Sequence, residues 1–201
     1  MPAGAVGDVD VVLGSWWKPL WGVGDNVLPL AFGQINNRTD AAMAVLLERI
    51  VSGHFGNLPT RGPEAAMVLG LDPEILRGDP GLFSPVLDRL GGGTPTDAEA
   101  ALALLRTMLT SMGSRPLRKM KDAEEATRIE LLLALGRRLG AAHLIPGMTI
   151  HQAKGREWSS VGVYLQPGEE HHLAGGLSRE RSSDRGLYVA LTRAKRSVCR
   201  V

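Results

Sequence analysis

The sequence predicts an α/β fold that follows a mainly helical segment. Beyond residue 146, two short apolar strands, a helix and the start of a last strand follow one another, and this alternation is typical of the class. Upstream, residues 53–145 carry helix caps and Ala- and Leu-rich stretches. The 201-residue chain is 44% hydrophobic and 22% charged, a composition that supports a globular core and excludes a fibre or a disordered tail.

Residues 1–25 form an N-terminal segment to which the sequence assigns no defined structure. The segment is rich in glycine, and Trp16, Trp17 and Trp21 surround Lys18 near its end. We favour the interpretation that these aromatic side chains pack on a neighbouring domain or seal a sheet edge. A platform on which nucleic-acid bases stack is the alternative.

Residues 26–52 predict the first strand and helix of the fold. The apolar run over residues 27–32 indicates a short buried strand. Pro29 disfavours a central place in a sheet, because proline lacks the amide that a strand ladder requires. Thr39 or Asp40 is the predicted cap of the helix that fills the rest of this stretch.

Residues 53–145 predict a helical insertion. Thr96 and Glu99 match the Thr-x-x-Glu capping box, which opens an Ala- and Leu-rich helix. A second helix is predicted over residues 117–139, and Gly140 follows it at the position where glycine commonly ends helices.

Residues 146–201 carry the α/β pattern. Residues 148–151 and 161–165 predict two strands, and a helix is predicted from the cap at residues 182–184 to Lys195. This segment contains nine Lys and Arg against five Asp and Glu. Such a basic excess fits a polyanionic partner, although a solvated face has a similar composition.

Other features limit the class of protein. No apolar run approaches the roughly 20 residues of a membrane span, and the first residues do not resemble a secretion signal. The single Cys199 can form neither an internal disulfide nor a thiolate metal cluster. We therefore expect a cytoplasmic protein that has no membrane partner and no metal bound by its own side chains.

A polar stretch follows the first of the two C-terminal strands. Lys154 and the hydroxyl of Thr149 are able to bind phosphate oxygens, and Gly155 permits a close backbone approach. Glu157 can accept a hydrogen bond from a sugar hydroxyl, and His151 adds a further polar group. Because open α/β sheets bind ligands at the carboxyl ends of their strands, this stretch predicts a ligand site. A surface turn with ordinary ion pairs is the alternative.

A second stretch places arginines on the last predicted helix. Arg185 and Arg193 are eight residues apart, about two helical turns, so that one edge of a helix can present both. Arginine is planar, permanently charged and bidentate, as a clamp on phosphate or on a phosphoryl transition state requires. A simple basic surface helix is the alternative.

Together the two stretches resemble motifs V and VI of superfamily 1 DNA helicases of the UvrD/Rep/PcrA type. Motif V of that family runs roughly Thr-x-His-x-Ala-Lys-Gly-Leu-Glu-Phe/Trp, and residues 149–158 match it except at Arg156, where leucine is usual. Motif VI runs roughly Arg-x-Leu-Tyr-Val-Ala-Leu-Thr-Arg-Ala, and residues 185–194 follow it closely. The resemblance covers residues 147–201 and implies a RecA-like parallel sheet, the second RecA-like domain of such a helicase.

The resemblance implies an ATP site. In these helicases ATP, with Mg²⁺, lies between two RecA-like domains. Arg193 would be the catalytic arginine that reaches the γ-phosphate, and Glu157 would bind the ribose. Gly155 and Arg185 complete the ATP-binding residues expected in this segment. Arg38 would be a second phosphate arginine, because Arg-Thr-Asp-Ala over residues 38–41 resembles motif IV with Asp in place of Asn.

The resemblance also implies a single-stranded DNA site. Thr149, His151 and Lys154 would contact the backbone of the strand, and this contact would couple the nucleotide state to the grip on DNA. For His151 a role in stabilising a turn is the alternative, and for residues 38–41 it is a helix cap.

A P-loop is missing from the sequence. None of the five lysines stands in Gly-x-x-x-x-Gly-Lys-Ser/Thr, and no Asp-Glu pair follows an apolar strand to hold Mg²⁺. We therefore expect a first RecA-like domain to complete the ATPase in cis or in trans. A non-catalytic module that binds single-stranded DNA or nucleotide, or a degenerate helicase fragment, is the alternative.

Overall fold

A computed structural model describes residues 6–79, 81–118 and 120–201. The chain divides into two compact units. The sheet unit falls within Met1–Pro29 and Ala142–Val201, and the helical unit comprises Leu30–Ala141. No helix in the described ranges is both long and apolar enough to span a membrane.

The strands are β1 (Val11–Gly14), β2 (Val27–Pro29), β3 (Ile145–Thr149), β4 (Trp158–Val163) and β5 (Ala194–Arg200). The helices are α1 (Trp17–Leu20), α2 (Arg38–Phe55), α3 (Gly62–Leu69), α4 (Pro73–Gly78), α5 (Ser84–Leu90), α6 (Pro95–Ser111), α7 (Asp122–Leu139), α8 (Glu169–Gly175) and α9 (Ser182–Leu191). A short 3₁₀ helix, Val6–Asp8, precedes β1.

The five strands form one parallel sheet in the order β2-β3-β1-β4-β5. The predicted α/β class is confirmed, and the parallel arrangement is consistent with a RecA-like fold. β2 lies at one edge of this sheet, where Pro29 can be accommodated because an edge strand pairs on one side only. Val12, Leu20 and Ile145 belong to the apolar cluster that forms part of the core of this unit.

β1 corrects the prediction that residues 1–25 have no defined structure. Val11, Val12 and Leu13 have no exposed surface, and their strand is the centre of the sheet. A strand buried on both faces does not show the alternation of apolar and polar residues that marks a half-buried strand, and this one is only four residues long. The first five residues of the N-terminal segment lie outside the described residues.

The helical unit contains α2 to α7 and is inserted between β2 and β3. Its bounds differ from the predicted residues 53–145, because α2 packs against α3 and α6 and belongs to this unit. The predicted strand–helix pair of residues 26–52 is therefore divided between the two units. α2 buries Ala42, Leu46 and Ile50 on one side, as their four-residue spacing predicts.

Two helix caps differ from the predicted ones. Asn37 caps α2, since its side-chain oxygen accepts from the Asp40 amide at 2.9 Å. The capping box of α6 is formed by Thr94 and Asp97, two residues before the predicted pair. Pro95, at the first position of α6, favours this earlier start, since proline is common at the first helical residue.

Candidate functional site

The polar stretch of residues 149–158 runs from one edge of the sheet to the other. Thr149 ends β3 at the carboxyl edge, which we define as the edge where β1, β3 and β4 end. Trp158 begins β4 at the amino edge, where β4 and β5 begin. The five residue steps from Trp158 to Val163 correspond to roughly 16 Å along the strand. The expectation that all these polar groups gather at one strand end is therefore wrong, because the stretch crosses between the two edges.

The amino edge brings Glu157 and Arg193 together. Trp158 pairs with Ala194 across β4 and β5, and the Trp158 amide donates to the Arg193 carbonyl at 2.9 Å. Since Glu157 and Arg193 each directly precede one member of this pair, they are neighbours at the start of adjacent strands. The Glu157 carboxylate lies 3.7 Å from the ammonium of Lys195, and both side chains are more than half exposed. The edge thus exposes a carboxylate paired with Lys195, next to the strand start that carries Arg193.

Arg193 is held by hydrogen bonds to the end of α9 and to the stretch that precedes β4. Its Nε donates to the Val189 carbonyl at 3.1 Å, and its Nη1 donates to the Arg156 carbonyl at 3.4 Å. Its Nη2 donates to the hydroxyl of Thr192 at 3.2 Å. These bonds position the guanidinium beside the segment that carries Glu157. A phosphate oxygen would have to compete with them or use the remaining N–H groups.

Arg185 and Arg193 do not share a helix edge. α9 ends at Leu191, and Arg193 lies beyond it, directly before β5. Arg185 is in the helix, but its Nη1 donates backwards to the carbonyls of Arg179 and Glu180, at 2.8 and 3.2 Å. The prediction failed because it extended the helix to Lys195, whereas Ala194 already pairs with β4.

Lys154 and Gly155 lie in the turn between the two edges. The turn begins where the Ala153 amide donates to the Thr149 carbonyl at 3.1 Å. Gly155 has a φ of 76°, a conformation that L side chains rarely adopt, and nothing lies within 4 Å of the place where a Cβ would be. Both residues are exposed. The backbone at Gly155 is therefore accessible to a ligand, and the turn shape requires glycine there.

Gln152 organises the carboxyl edge. Its Oε1 accepts hydrogen bonds from the Thr149 amide at 2.9 Å, from the Thr149 hydroxyl at 3.1 Å and from Nε1 of Trp17 at 3.1 Å. Thr149 is only 6% exposed, so that its hydroxyl serves this network, whereas His151 is exposed. The side chains of His151 and Trp16 line a groove with Thr149 and Gln152 at this edge.

Sequence reasoning missed a buried glutamate at the carboxyl edge. Glu169, at the start of α8, accepts from the Ser15 hydroxyl at 3.2 Å and from the Gln166 amide at 2.6 Å. It therefore joins the loop after β1 to the loop after β4. No element is predicted between the strand that ends at residue 165 and the helix cap at residues 182–184, and a glutamate in a polar His- and Gly-rich sequence gives no sign of burial.

Asp184 fixes the loop that precedes α9. Its carboxylate is completely buried and accepts from the Ser178 amide at 2.8 Å, and it lies 2.9 Å from Nδ1 of His172. The Ser178 amide, with Arg181 and His172, holds the pKa of Asp184 below its ordinary value, although burial acts in the opposite direction. The sequence showed this residue only as part of a helix cap.

Arg38 begins α2 in the helical unit. Its Nη1 donates to the carbonyl of Pro116 at 2.9 Å, and with Arg118 and Lys121 it lines a cleft of that unit. Asp40 is occupied by an ion pair with Arg128 at 2.9 Å. The interpretation of Thr39 or Asp40 as the helix cap is wrong, because α2 begins at Arg38 and Asn37 caps it.

The amino edge offers cationic and carboxylate side chains to a ligand. Arg193, Lys195 and Glu157 offer the cations and the carboxylate that phosphate oxygens and sugar hydroxyls require. Within residues 6–79, 81–118 and 120–201, no three His, Cys, Asp or Glu side chains are grouped as metal ligands. No protein-family model matches the chain, and no curated protein matches it.

Proposed function

We propose that this chain is the C-terminal part of an ATP-dependent DNA helicase, and that its sheet unit is the second RecA-like domain. The adjacency of Glu157 and Arg193 at the amino edge carries the proposal. Two separate stretches resemble helicase motifs, and these two residues, one from each stretch, are among those to which the resemblance gives ATP contacts. A cytoplasmic location, expected from the sequence, belongs to the same proposal.

Arg193 is proposed to bind the terminal phosphate of ATP. It would exchange its bonds to the Val189 and Arg156 carbonyls for stronger, charge-assisted bonds to phosphate oxygens. Glu157 would release Lys195 and accept from the ribose, an exchange that costs little because exposed ion pairs contribute little free energy. Mg²⁺ and the P-loop contacts would come from a first RecA-like domain, in cis or in trans.

Single-stranded DNA is proposed to bind at the carboxyl edge and the adjoining turn. His151 and Lys154 are exposed and can reach a phosphate backbone, while Thr149 supports them from beneath through Gln152. The turn between the edges joins the DNA contacts to Glu157. A shift of this turn would therefore change both ligand sites together.

A binding module without turnover is the second candidate. It is favoured by the missing P-loop in the sequence and by the three hydrogen bonds that already occupy the guanidinium of Arg193. In this case the carboxyl edge would bind a single strand, while the amino edge would have only a structural role.

Mixing the chain with a P-loop-bearing first RecA-like domain of a superfamily 1 helicase tests the proposal. We expect DNA-stimulated ATP hydrolysis that neither component shows alone. Arg193→Ala should reduce it by about 10³- to 10⁵-fold, the range measured for arginines in this role. Arg196→Ala removes an exposed arginine three residues away on β5 and serves as the matched control.

The two candidates give different results in this experiment. Hydrolysis that is insensitive to Arg193→Ala would overturn the assignment of the catalytic arginine. Single-strand binding that weakens steeply with salt, without any hydrolysis in the mixture, would favour the binding module.

A further inference from the structure

We propose that Trp16 is the residue on which a nucleobase of a bound single strand stacks. The inference rests on the proposed single-strand site at the carboxyl edge and adds to it a contact with bases. Trp16 is 61% exposed, although tryptophan is mostly buried in folded proteins. It lies at the end of β1, in the groove that also contains His151.

The sheet and α1 fix the position of the Trp16 backbone at this edge. Trp16 is two residues beyond β1, the central strand of the sheet, and directly precedes α1. Gly14 pairs with Thr149, so that the chain entering Trp16 and the chain entering His151 leave the sheet side by side. The backbone that carries Trp16 is therefore fixed by the central strand on one side and by α1 on the other.

The neighbouring tryptophan has a different role. Nε1 of Trp17 donates to Gln152 at 3.1 Å, and Gln152 also binds Thr149. Trp17 therefore forms part of the groove wall and ties the loop after β1 to the turn after β3. Trp16 is the more exposed of the two rings and leaves its face accessible to a ligand.

The chemistry of the groove favours a base of a nucleic acid over an apolar partner side chain. The Trp16 ring shares the groove with the exposed His151, whose imidazole can bind a phosphate or sugar group of a nucleotide. Lys18 and Lys154, both exposed, add positive charge on the two segments that form the groove. Base stacking on aromatic rings tolerates any sequence, as a protein that moves along a strand requires.

Two oligonucleotides of equal length test the inference: an oligo-dT strand and an abasic strand with the same number of phosphates. The whole chain is titrated with each, and binding is followed by fluorescence anisotropy of a label on the DNA. We expect the abasic strand to bind more weakly by about 5- to 150-fold, the effect of one stacked base. Trp16→Ala should weaken oligo-dT binding to a similar extent and leave abasic binding unchanged.

Trp16→Phe and Met67→Ala are the matched variants. Phenylalanine keeps a ring and should retain most of the oligo-dT affinity, while losing the part of the tryptophan fluorescence that DNA quenches. Met67 is as exposed as Trp16 but lies in the helical unit, and its loss should not change binding. Thermal melting of each variant checks that the fold is retained.

Each outcome separates this inference from the proposed function. If both strands bind equally, with steep salt dependence, the base contact is overturned and the backbone site stands. If Trp16→Ala binds oligo-dT as well as the unaltered chain does, the inference also fails. If neither strand binds above background, the single-strand site itself is overturned, and the inference falls with it.

Discussion

Glu157 and Arg193 directly precede Trp158 and Ala194, which are paired at the start of two neighbouring parallel strands. This register makes neighbours of two residues that are far apart in the sequence. In the proposed function, the carboxylate accepts from the ribose and the guanidinium binds a phosphate of the same nucleotide.

Glu157→Ala should weaken ATP binding by about 10- to 150-fold when the P-loop domain is present, because a hydrogen bond to a charged group is lost. The thermal stability should change little, since the ion pair with Lys195 is exposed. Titration with a fluorescent ATP analogue measures the affinity, and Glu180→Ala, at another exposed glutamate, is the control. Unchanged ATP affinity in the Glu157 variant would contradict the ribose contact.

Gln152→Ala should lower the free energy of unfolding by about 1–3 kcal/mol, because three hydrogen bonds to Oε1 are lost at a partly buried position. Urea unfolding followed by tryptophan fluorescence measures the change. Lys154→Ala, in the same turn but exposed, should leave the stability within about 0.5 kcal/mol of the unaltered chain. Equal stability of both variants would show that the Gln152 network does not hold the carboxyl edge together.

Asp184 should make stability depend on pH in the acid range. The Ser178 amide and the charges nearby lower its folded-state pKa below the ordinary value of 3.8. Its contribution is therefore complete above pH 3.8 and is lost as the pH falls through the lower folded-state pKa. Urea unfolding from pH 5 down to pH 2.5 should show a difference between the unaltered chain and Asp184→Asn that shrinks towards low pH. A constant difference would exclude this linkage.

Thr94→Ala should destabilise the helical unit by about 1 kcal/mol, because it removes the hydroxyl that accepts from the Asp97 amide at 3.1 Å. Thr96→Ala is the matched control, since Thr96 is exposed inside the helix that Thr94 caps. Chemical denaturation of the two variants distinguishes the observed cap from the one that the sequence predicted. A larger effect at Thr96 would place the start of α6 two residues later.

Part of the fold could be predicted from the sequence. The α/β class followed from the alternation of elements after residue 146, and the edge position of β2 agrees with the constraint that Pro29 imposes. β1 could not be found, because four buried residues between glycine-rich stretches have no periodicity. The predicted cap of α6 was wrong by two residues, because Thr94-x-x-Asp and Thr96-x-x-Glu both fit the capping-box pattern.

The geometry of the candidate site was predictable only in part. All residues from Leu191 to Lys195 except Thr192 are good helix formers, so that local propensity extends α9 over Arg193. Pairing of Ala194 with β4 ends the helix instead, and such pairing is a tertiary effect. The separation of Thr149 from Glu157 likewise depends on the path between parallel strands, which no spacing rule contains. The roles assigned to these residues in ATP and DNA binding stay predictions.

The insertion between β2 and β3 has a consequence for how the chain folds. Val27 and Ile145 are paired in the sheet, yet they stand on either side of the whole helical unit. Closing this pairing in an open chain costs loop entropy, and that cost decreases once the intervening residues have condensed. We therefore expect the helices to form first and to bring the two parts of the sheet, which precede and follow them in the sequence, within reach of each other.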